Sequence, residues 1–148
     1  MARAGGCQCG AVRYTLSLER PVVYACHCSE CQKQSASAFG LSVPITRADI
    51  DVTGPLATYV RPTDSGTSTT CHFCPKCGTR IYHQSARSTD NVTLKGGTLD
   101  DPSDLSPAAH IWTRRKHSWI AIPDDAPQFP EQPDDLKAWR DTLIAKGR

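Results

Sequence analysis

The run Tyr24-Ala25-Cys26-His27-Cys28-Ser29-Glu30-Cys31 places three cysteines within six residues, with a histidine between the first two. Spacings this tight are poor disulfide geometry, because an S–S bond needs Cα atoms about 4.4–6.8 Å apart with suitably directed Cβ vectors. Three thiolates on one short loop can instead converge on a soft cation such as zinc. Closed structural zinc sites take four protein ligands, whereas catalytic sites commonly take three and leave a position open. This loop offers three.

Working outward, two further cysteine clusters flank it. Gly5-Gly6-Cys7-Gln8-Cys9-Gly10 is a Cys-x-Cys pair bracketed by glycines. Residues two apart on an extended chain point to the same side, so Cys7 and Cys9 offer two sulfurs together. Cys71-His72-Phe73-Cys74-Pro75-Lys76-Cys77-Gly78 contains a Cys-x-x-Cys turn followed by glycine, the common knuckle that presents two sulfurs to zinc. Joining Cys7 and Cys9 to Cys74 and Cys77 makes a closed four-thiolate site, which leaves no room for substrate and is expected to be structural. That partition leaves Cys26, Cys28 and Cys31 as a three-ligand, catalytic type of site. Cys71 is then unassigned. Because Cys71-x-x-Cys74 is itself a Cys-x-x-Cys, a second partition has Cys71 completing the loop site as a fourth ligand. The simplest reading of Cys71 is a small buried strand residue.

The five histidines carry weaker signals. His27, between two ligands, is expected to point away from a metal they share, and His72 reads as a strand surface residue. His83, His110 and His117 read as partly buried polar groups, with His110 the one to watch because it opens the apolar run His110-Ile111-Trp112.

The chain of 148 residues, with 39% hydrophobic and 22% charged content, is the size and composition of one globular domain. Its formal charge of +2 assumes neutral cysteines. Seven thiolates set against two Zn²⁺ would bring it to about −1, which removes any electrostatic case for nucleic acid. There is no apolar signal segment at the N-terminus and no apolar run of membrane-spanning length. Eight cysteines grouped for metal point to a reducing compartment, so a cytoplasmic location and no membrane partner are expected.

The remaining pattern is mostly strand. Val12, Tyr14, Leu16 and Leu18 alternate with period two. Strands are also expected over 21–25, 39–43, 50–52, 57–60, 79–83, 91–99, 110–112 and 119–122, with a turn over 44–49 and an exposed hairpin or loop over 61–70. Gln32 to Ala38 suggests one helical turn. Pro123 to Pro133 is a proline-rich connection. Only Pro133 to Lys146 reads as a full helix, with Leu136, Trp139, Leu143 and Ile144 near one face and Asp134 and Asp135 in the first turn. The fold class is mainly β with a C-terminal helix: residues 1–125 form the zinc-binding domain, and 126–148 form a connection and a helix packed on it.

Three stretches together resemble the glutathione-dependent formaldehyde-activating enzyme family: Gly6-Cys7-Gln8-Cys9-Gly10-Ala11-Val12-Arg13-Tyr14, Cys26-His27-Cys28-Ser29-Glu30-Cys31-Gln32-Lys33 and Phe73-Cys74-Pro75-Lys76-Cys77-Gly78-Thr79. Gly97-Thr98-Leu99-Asp100-Asp101-Pro102 and His110-Ile111-Trp112 are similar to that family's C-terminal half. The resemblance covers about residues 5 to 125. It implies a fold like the Mss4-like β-tent, built of several short antiparallel sheets. It also implies a structural zinc on Cys7, Cys9, Cys74 and Cys77 and a catalytic zinc on Cys26, Cys28 and Cys31. The activity implied is that of a carbon–sulfur lyase that joins glutathione, as thiol co-substrate, to formaldehyde. Lys33, Arg47 and Arg80 are cationic candidates for the glutathione carboxylates. Two features depart from the family pattern: Ser35-Ala36 stands where the family usually has Ser-Gly, and Cys71 is not an expected family cysteine. The rival readings are a non-catalytic zinc module that binds a protein partner and a thiol redox enzyme that uses Cys71.

Overall fold

The computed structural model describes residues 2–148, folded as two β-sheets with a helix against the larger one. The small sheet has the order β1-β2-β5, from β1 (Arg3–Gly6), β2 (Arg13–Leu16) and β5 (Ile50–Thr53). β2 shows the alternation read from the sequence: Tyr14 and Leu16 are buried while Arg13 and Thr15 are exposed. β1 has no strand-like composition, and its glycines explain why it pairs. A Cβ at Gly5 would collide with the Tyr14 hydroxyl and the Thr98 carbonyl, and one at Gly6 with the Val12 carbonyl.

The large sheet contains β3 (Val23–Cys26), β4 (Gly40–Thr46), β6 (Ala57–Pro62), β7 (Ser68–Phe73), β8 (Arg80–Ser85), β9 (Asn91–Lys95) and β10 (Pro107–Ile111), in the order β10-β3-β4-β9-β8-β7-β6. Every strand pair in the two sheets is antiparallel except β10 with β3, which runs parallel. Val12, Val43, Ile45, Ile81, Val92 and Leu94, all fully buried, join Tyr14 and Leu16 in the core between the sheets.

Several boundaries differ from expectation. The turn expected over 44–49 is not there: β4 runs on through Pro44 to Thr46, and only Arg47–Asp49 turn, as a 3-10 segment. Past Ser42, β4 has β9 as its partner but no longer β3, so a residue without an N–H is tolerated. The segment 61–70 takes the hairpin form of the expectation: β6 and β7 pair up to Pro62 and Ser68, which leaves 63–67 as the loop. Residues 119–122 form no strand, and Trp119 is 72% exposed.

Two helices cover one face. The suggested helical turn is α1 (Ser29–Ser35), which starts directly at the cysteine loop. It ends at Ala36, whose φ of 50° lies in the left-handed region. The C-terminal helix α2 (Leu136–Lys146) begins at Asp135, whose carboxylate accepts the Ala138 N–H, and buries Leu143 and Ile144. Trp139 packs edge-on against Tyr24 and Phe129, and Arg140 donates to the Val92 carbonyl and Thr93 Oγ1, so α2 is fastened to β3 and β9. Among the described residues no helix is long and apolar enough to cross a membrane.

Candidate metal centres and the adjoining cavities

The eight cysteines are all free thiols, and seven of them gather into two groups. Cys7, Cys9, Cys74 and Cys77 bring their sulfurs within 4.8 Å of one another, as do Cys26, Cys28 and Cys31. Cys71 belongs to neither group. It is buried on β7, 3% exposed, in cross-strand register with Tyr59 and His83.

The first group is assembled from two tight turns, one between β1 and β2 of the small sheet and one between β7 and β8 of the large sheet. Gly10 (φ 79°) lets the chain reverse after Cys9, and Gly78 (φ 78°) does so after Cys77. The Gly78 N–H donates to the Cys74 carbonyl at 2.8 Å, closing the knuckle. Cys7 Sγ accepts the Val12 N–H at 3.2 Å, and Cys77 Sγ lies 3.2 Å from Thr79 Oγ1. The Thr79 hydroxyl and N–H hold the Cys77 thiol down to about 5. The Cys7–Cys9 and Cys9–Cys74 sulfur separations are 3.6 and 3.8 Å. A tetrahedral zinc with bonds of about 2.3 Å sets its sulfurs about 3.8 Å apart, so the donor set fits zinc.

The second group sits where β3 ends and α1 begins. Cys28 is the N-cap of α1, and its sulfur accepts the Cys31 N–H at 3.3 Å. Without a cation between them, three sulfurs this close cannot all ionise. Hydrogen bonds from the Cys26 and Cys31 thiols hold Cys28 down to about 2, and the same bond to Cys28 pushes Cys26 far up. A convergent set of three soft donors with one thiolate already favoured fits zinc, with one position left for another ligand. Gly40 lies against the loop, with a Cβ there in van der Waals contact with that of Cys31 at 3.4 Å.

Neighbouring side chains hold the loop in place. The Gln32 amide donates to the His27 and Arg115 carbonyls at 2.8 and 2.9 Å, and its oxygen lies 2.9 Å from His117 Nε2. His27 turns away from the sulfurs into the core, fully buried, with Nε2 3.0 Å from His110 Nδ1. Burial lowers the pKa of both rings, His27 to about 4, so the pair is neutral and anchors the loop. His72 is half-buried and stacks on Tyr82 at 4.2 Å.

Two cavities of about 260 and 430 Å³ flank α1. Gln34, whose Nε2 lies 3.7 Å from Cys31 Sγ, lines both, and Gly40 lines the larger. None of the seven grouped cysteines lines either cavity; the larger one also reaches the first group, through Thr79, whose Oγ1 lies 3.2 Å from Cys77 Sγ. Of the expected cationic residues, Lys33 and Arg80 face the smaller cavity. Arg47 does not: its guanidinium donates to the Ile50 carbonyl at 2.8 Å. Gln34, Arg61, His83 and Lys95 join the cavity walls although no motif marks them.

Three comparisons with known proteins show what the chain is similar to. The family model for the glutathione-dependent formaldehyde-activating enzyme matches residues 2–115. A Halomonas elongata protein, whose name assigns it provisionally to glutathione-dependent formaldehyde activation, is 26% identical over 128 residues, 82% of each chain. The crystal structure of a Rhodobacter sphaeroides protein superposes with a TM-score of 0.53 at 22% identity, over 70% of this chain and 91% of that one, and so shares the fold. With the family model spanning both cysteine groups and most of the chain, the protein belongs to the glutathione-dependent formaldehyde-activating enzyme family.

Proposed function

We propose that the protein is a zinc-dependent carbon–sulfur lyase that joins glutathione and formaldehyde as S-(hydroxymethyl)glutathione, or splits that adduct. The observation that carries this reading is the contrast between the two cysteine groups. One has four sulfurs, a full tetrahedral set; the other has three, which leaves a position open beside Gln34 and the two cavities it lines. In this reading Cys7, Cys9, Cys74 and Cys77 hold a structural zinc, and Cys26, Cys28 and Cys31 hold the catalytic one.

In the forward direction the glutathione sulfur attacks the formaldehyde carbon, the new C–S bond forms, and the C=O pair becomes a hydroxyl. The sulfur gives up one proton and the oxygen gains one. Zinc on the three thiolates would lower the pKa of an incoming thiol and keep its sulfur nucleophilic. The chain's own part is to orient and to temper charge. Gln34 Nε2 points at Cys31 Sγ and the Cys31 N–H at Cys28 Sγ, so both sulfurs donate less strongly to a bound cation. The Gln32 and His27 contacts hold the loop rigid, and the cavities accept the body of the thiol beside it.

The test is the exchange rate between free formaldehyde and S-(hydroxymethyl)glutathione, read by exchange NMR with and without zinc-loaded protein. Acceleration above the spontaneous rate that disappears in Cys28→Ser supports the assignment. A rate equal to the spontaneous one in the wild type contradicts it.

A further inference from the structure

The smaller cavity, between α1 and the strands β6, β7 and β8, carries an uneven set of polar groups. Its floor is a cross-strand row in which Tyr59 pairs with Cys71 and Cys71 with His83, so the three share one face of the sheet. Arg61, Lys33 and Arg80 are cationic donors on its walls. The Arg80 guanidinium lies 5.9 Å from the ring centroids of both Tyr59 and Phe73, which fixes its position.

His83 adds a further donor. Its Nδ1 faces Lys95 Nζ at 2.8 Å, and an ammonium can only donate. Burial and the Lys95 charge keep the ring neutral, so its proton sits on Nε2. Against these donors stand two acceptors. Glu30 lies 3.7 Å from Arg61 Nε, longer than a charge-assisted hydrogen bond, with half its side chain open to solvent. Gln34 Oε1 is buried and has no hydrogen-bond partner, although Nε2 of the same amide is engaged with Cys31 Sγ. An unpaired buried carbonyl is costly, a deficit that a ligand N–H would remove.

We propose that this cavity binds a zwitterionic α-amino-acid head group of the thiol substrate, with its carboxylate on Arg61, Arg80 and His83 Nε2–H and its ammonium on Glu30 and Gln34 Oε1. The assignment rests on the reading that a thiol enters the three-cysteine site, because Gln34 is the residue common to both. Donors exceed acceptors, as a carboxylate requires, and the acceptors present are those an ammonium needs. A carboxylate alone, such as the glycine end of glutathione, would draw Arg61 from Glu30 and leave Gln34 Oε1 without a donor. The head group is supplied by the γ-glutamyl end of glutathione or by a free amino-acid thiol of the cysteine type.

Calorimetric titration of the zinc-loaded full chain with S-methylglutathione tests this, because the thioether cannot enter by way of a thiolate. Replacing the α-amino group by hydrogen should weaken binding about tenfold or more, while esterifying the glycine carboxylate should change it by less than about threefold. Glu30→Gln should remove most of the dependence on the amino group, and Arg61→Gln should weaken every ligand that carries the head group. S-methylcysteine binding as tightly as S-methylglutathione would identify a free amino-acid thiol as the source. Much weaker binding would identify the γ-glutamyl end. No detectable binding of either thioether, equal binding with and without the amino group, or a loss confined to the glycine ester would overturn the proposal. A chain that binds S-methylglutathione as described yet leaves the formaldehyde exchange rate unchanged retains this site and loses the proposed reaction. A chain that accelerates exchange without the head-group preference loses this site alone.

Discussion

Lys95 Nζ donates to His83 Nδ1 across 2.8 Å, and this bond sets the tautomer of a histidine that lines the cavity beside the three-cysteine loop. The geometry follows from strand register. His83 pairs with Thr93 across β8 and β9, and Lys95, two residues on, emerges on the same face. Burial, the stronger influence, lowers the Lys95 pKa, while the nearby Cys31, Cys71 and Cys26 sulfurs act to raise it. Lys95→Met should therefore release His83 into a mixture of tautomers, where the wild type shows only Nε2–H by ¹⁵N NMR. The glutathione KM should rise several-fold with a smaller change in kcat, as loss of a positioning contact implies. An unchanged tautomer in the variant would contradict the relay.

Asp49 is buried at 4% exposure and accepts from the Thr46 N–H and hydroxyl, Ser17 Oγ and the Arg148 guanidinium, at 2.6–3.1 Å. Burial alone would push its pKa up, but the Thr46, Ser17 and Arg148 contacts outweigh it and the net shift is downward. A carboxyl lowered in the folded state adds stability in full above its unfolded value near 3.9, and that stability is lost as pH falls through the folded value. Urea unfolding should thus lose an Asp49-dependent increment below about pH 4, and Asp49→Asn should flatten that part of the curve. Arg148→Ala should cost about 1–2 kcal/mol at pH 7, a Tm drop of roughly 3–6 °C. No change with Arg148→Ala would show that the C-terminal residue is not fastened as described.

Ala36 closes α1 at a φ of 50°, a conformation in which a Cβ is strained. Ala36→Gly should raise stability by roughly 0.5–1 kcal/mol, read as an increase in Tm at unchanged zinc content. A decrease would mean that the flexibility gained by the unfolded chain outweighs the relief of strain.

The cysteine groups were legible in the sequence because short spacings dictate which sulfurs can meet, whatever the surrounding fold. The partner of the Cys7/Cys9 pair was legible for the same reason, since Cys74 and Cys77 with Gly78 form a recognisable knuckle. The period-two pattern at Tyr14 and Leu16 and the apolar face carrying Leu143 and Ile144 were readable because burial on one side imposes them. β1 was not, because Arg3-Ala4-Gly5-Gly6 pairs through what its glycines lack, and that shows only when Tyr14 and Thr98 are in place. Pro44 hid the continuation of β4 because its tolerance depends on which neighbour strand is present. The residues at 119–122 misled in the opposite sense, since a short apolar run around Trp119 can equally lie on the surface. Gln34, His83 and Lys95 carried no motif. Gln34 lines both cavities, His83 the smaller and Lys95 the larger, because of strand register and helix placement, both non-local properties.

The division of the cysteines is read out by zinc content, measured on the wild type and on Cys28→Ser, Cys74→Ser and Cys71→Ser, with and without glutathione. Two zincs per chain are expected in the wild type and in Cys71→Ser. Cys28→Ser should hold one and stay folded, whereas Cys74→Ser should lose its zinc together with cooperative unfolding. Glutathione should perturb only the metal that Cys28→Ser lacks. Two zincs retained in Cys28→Ser, or one zinc lost in Cys71→Ser, would contradict the division into a closed four-cysteine site and an open three-cysteine one.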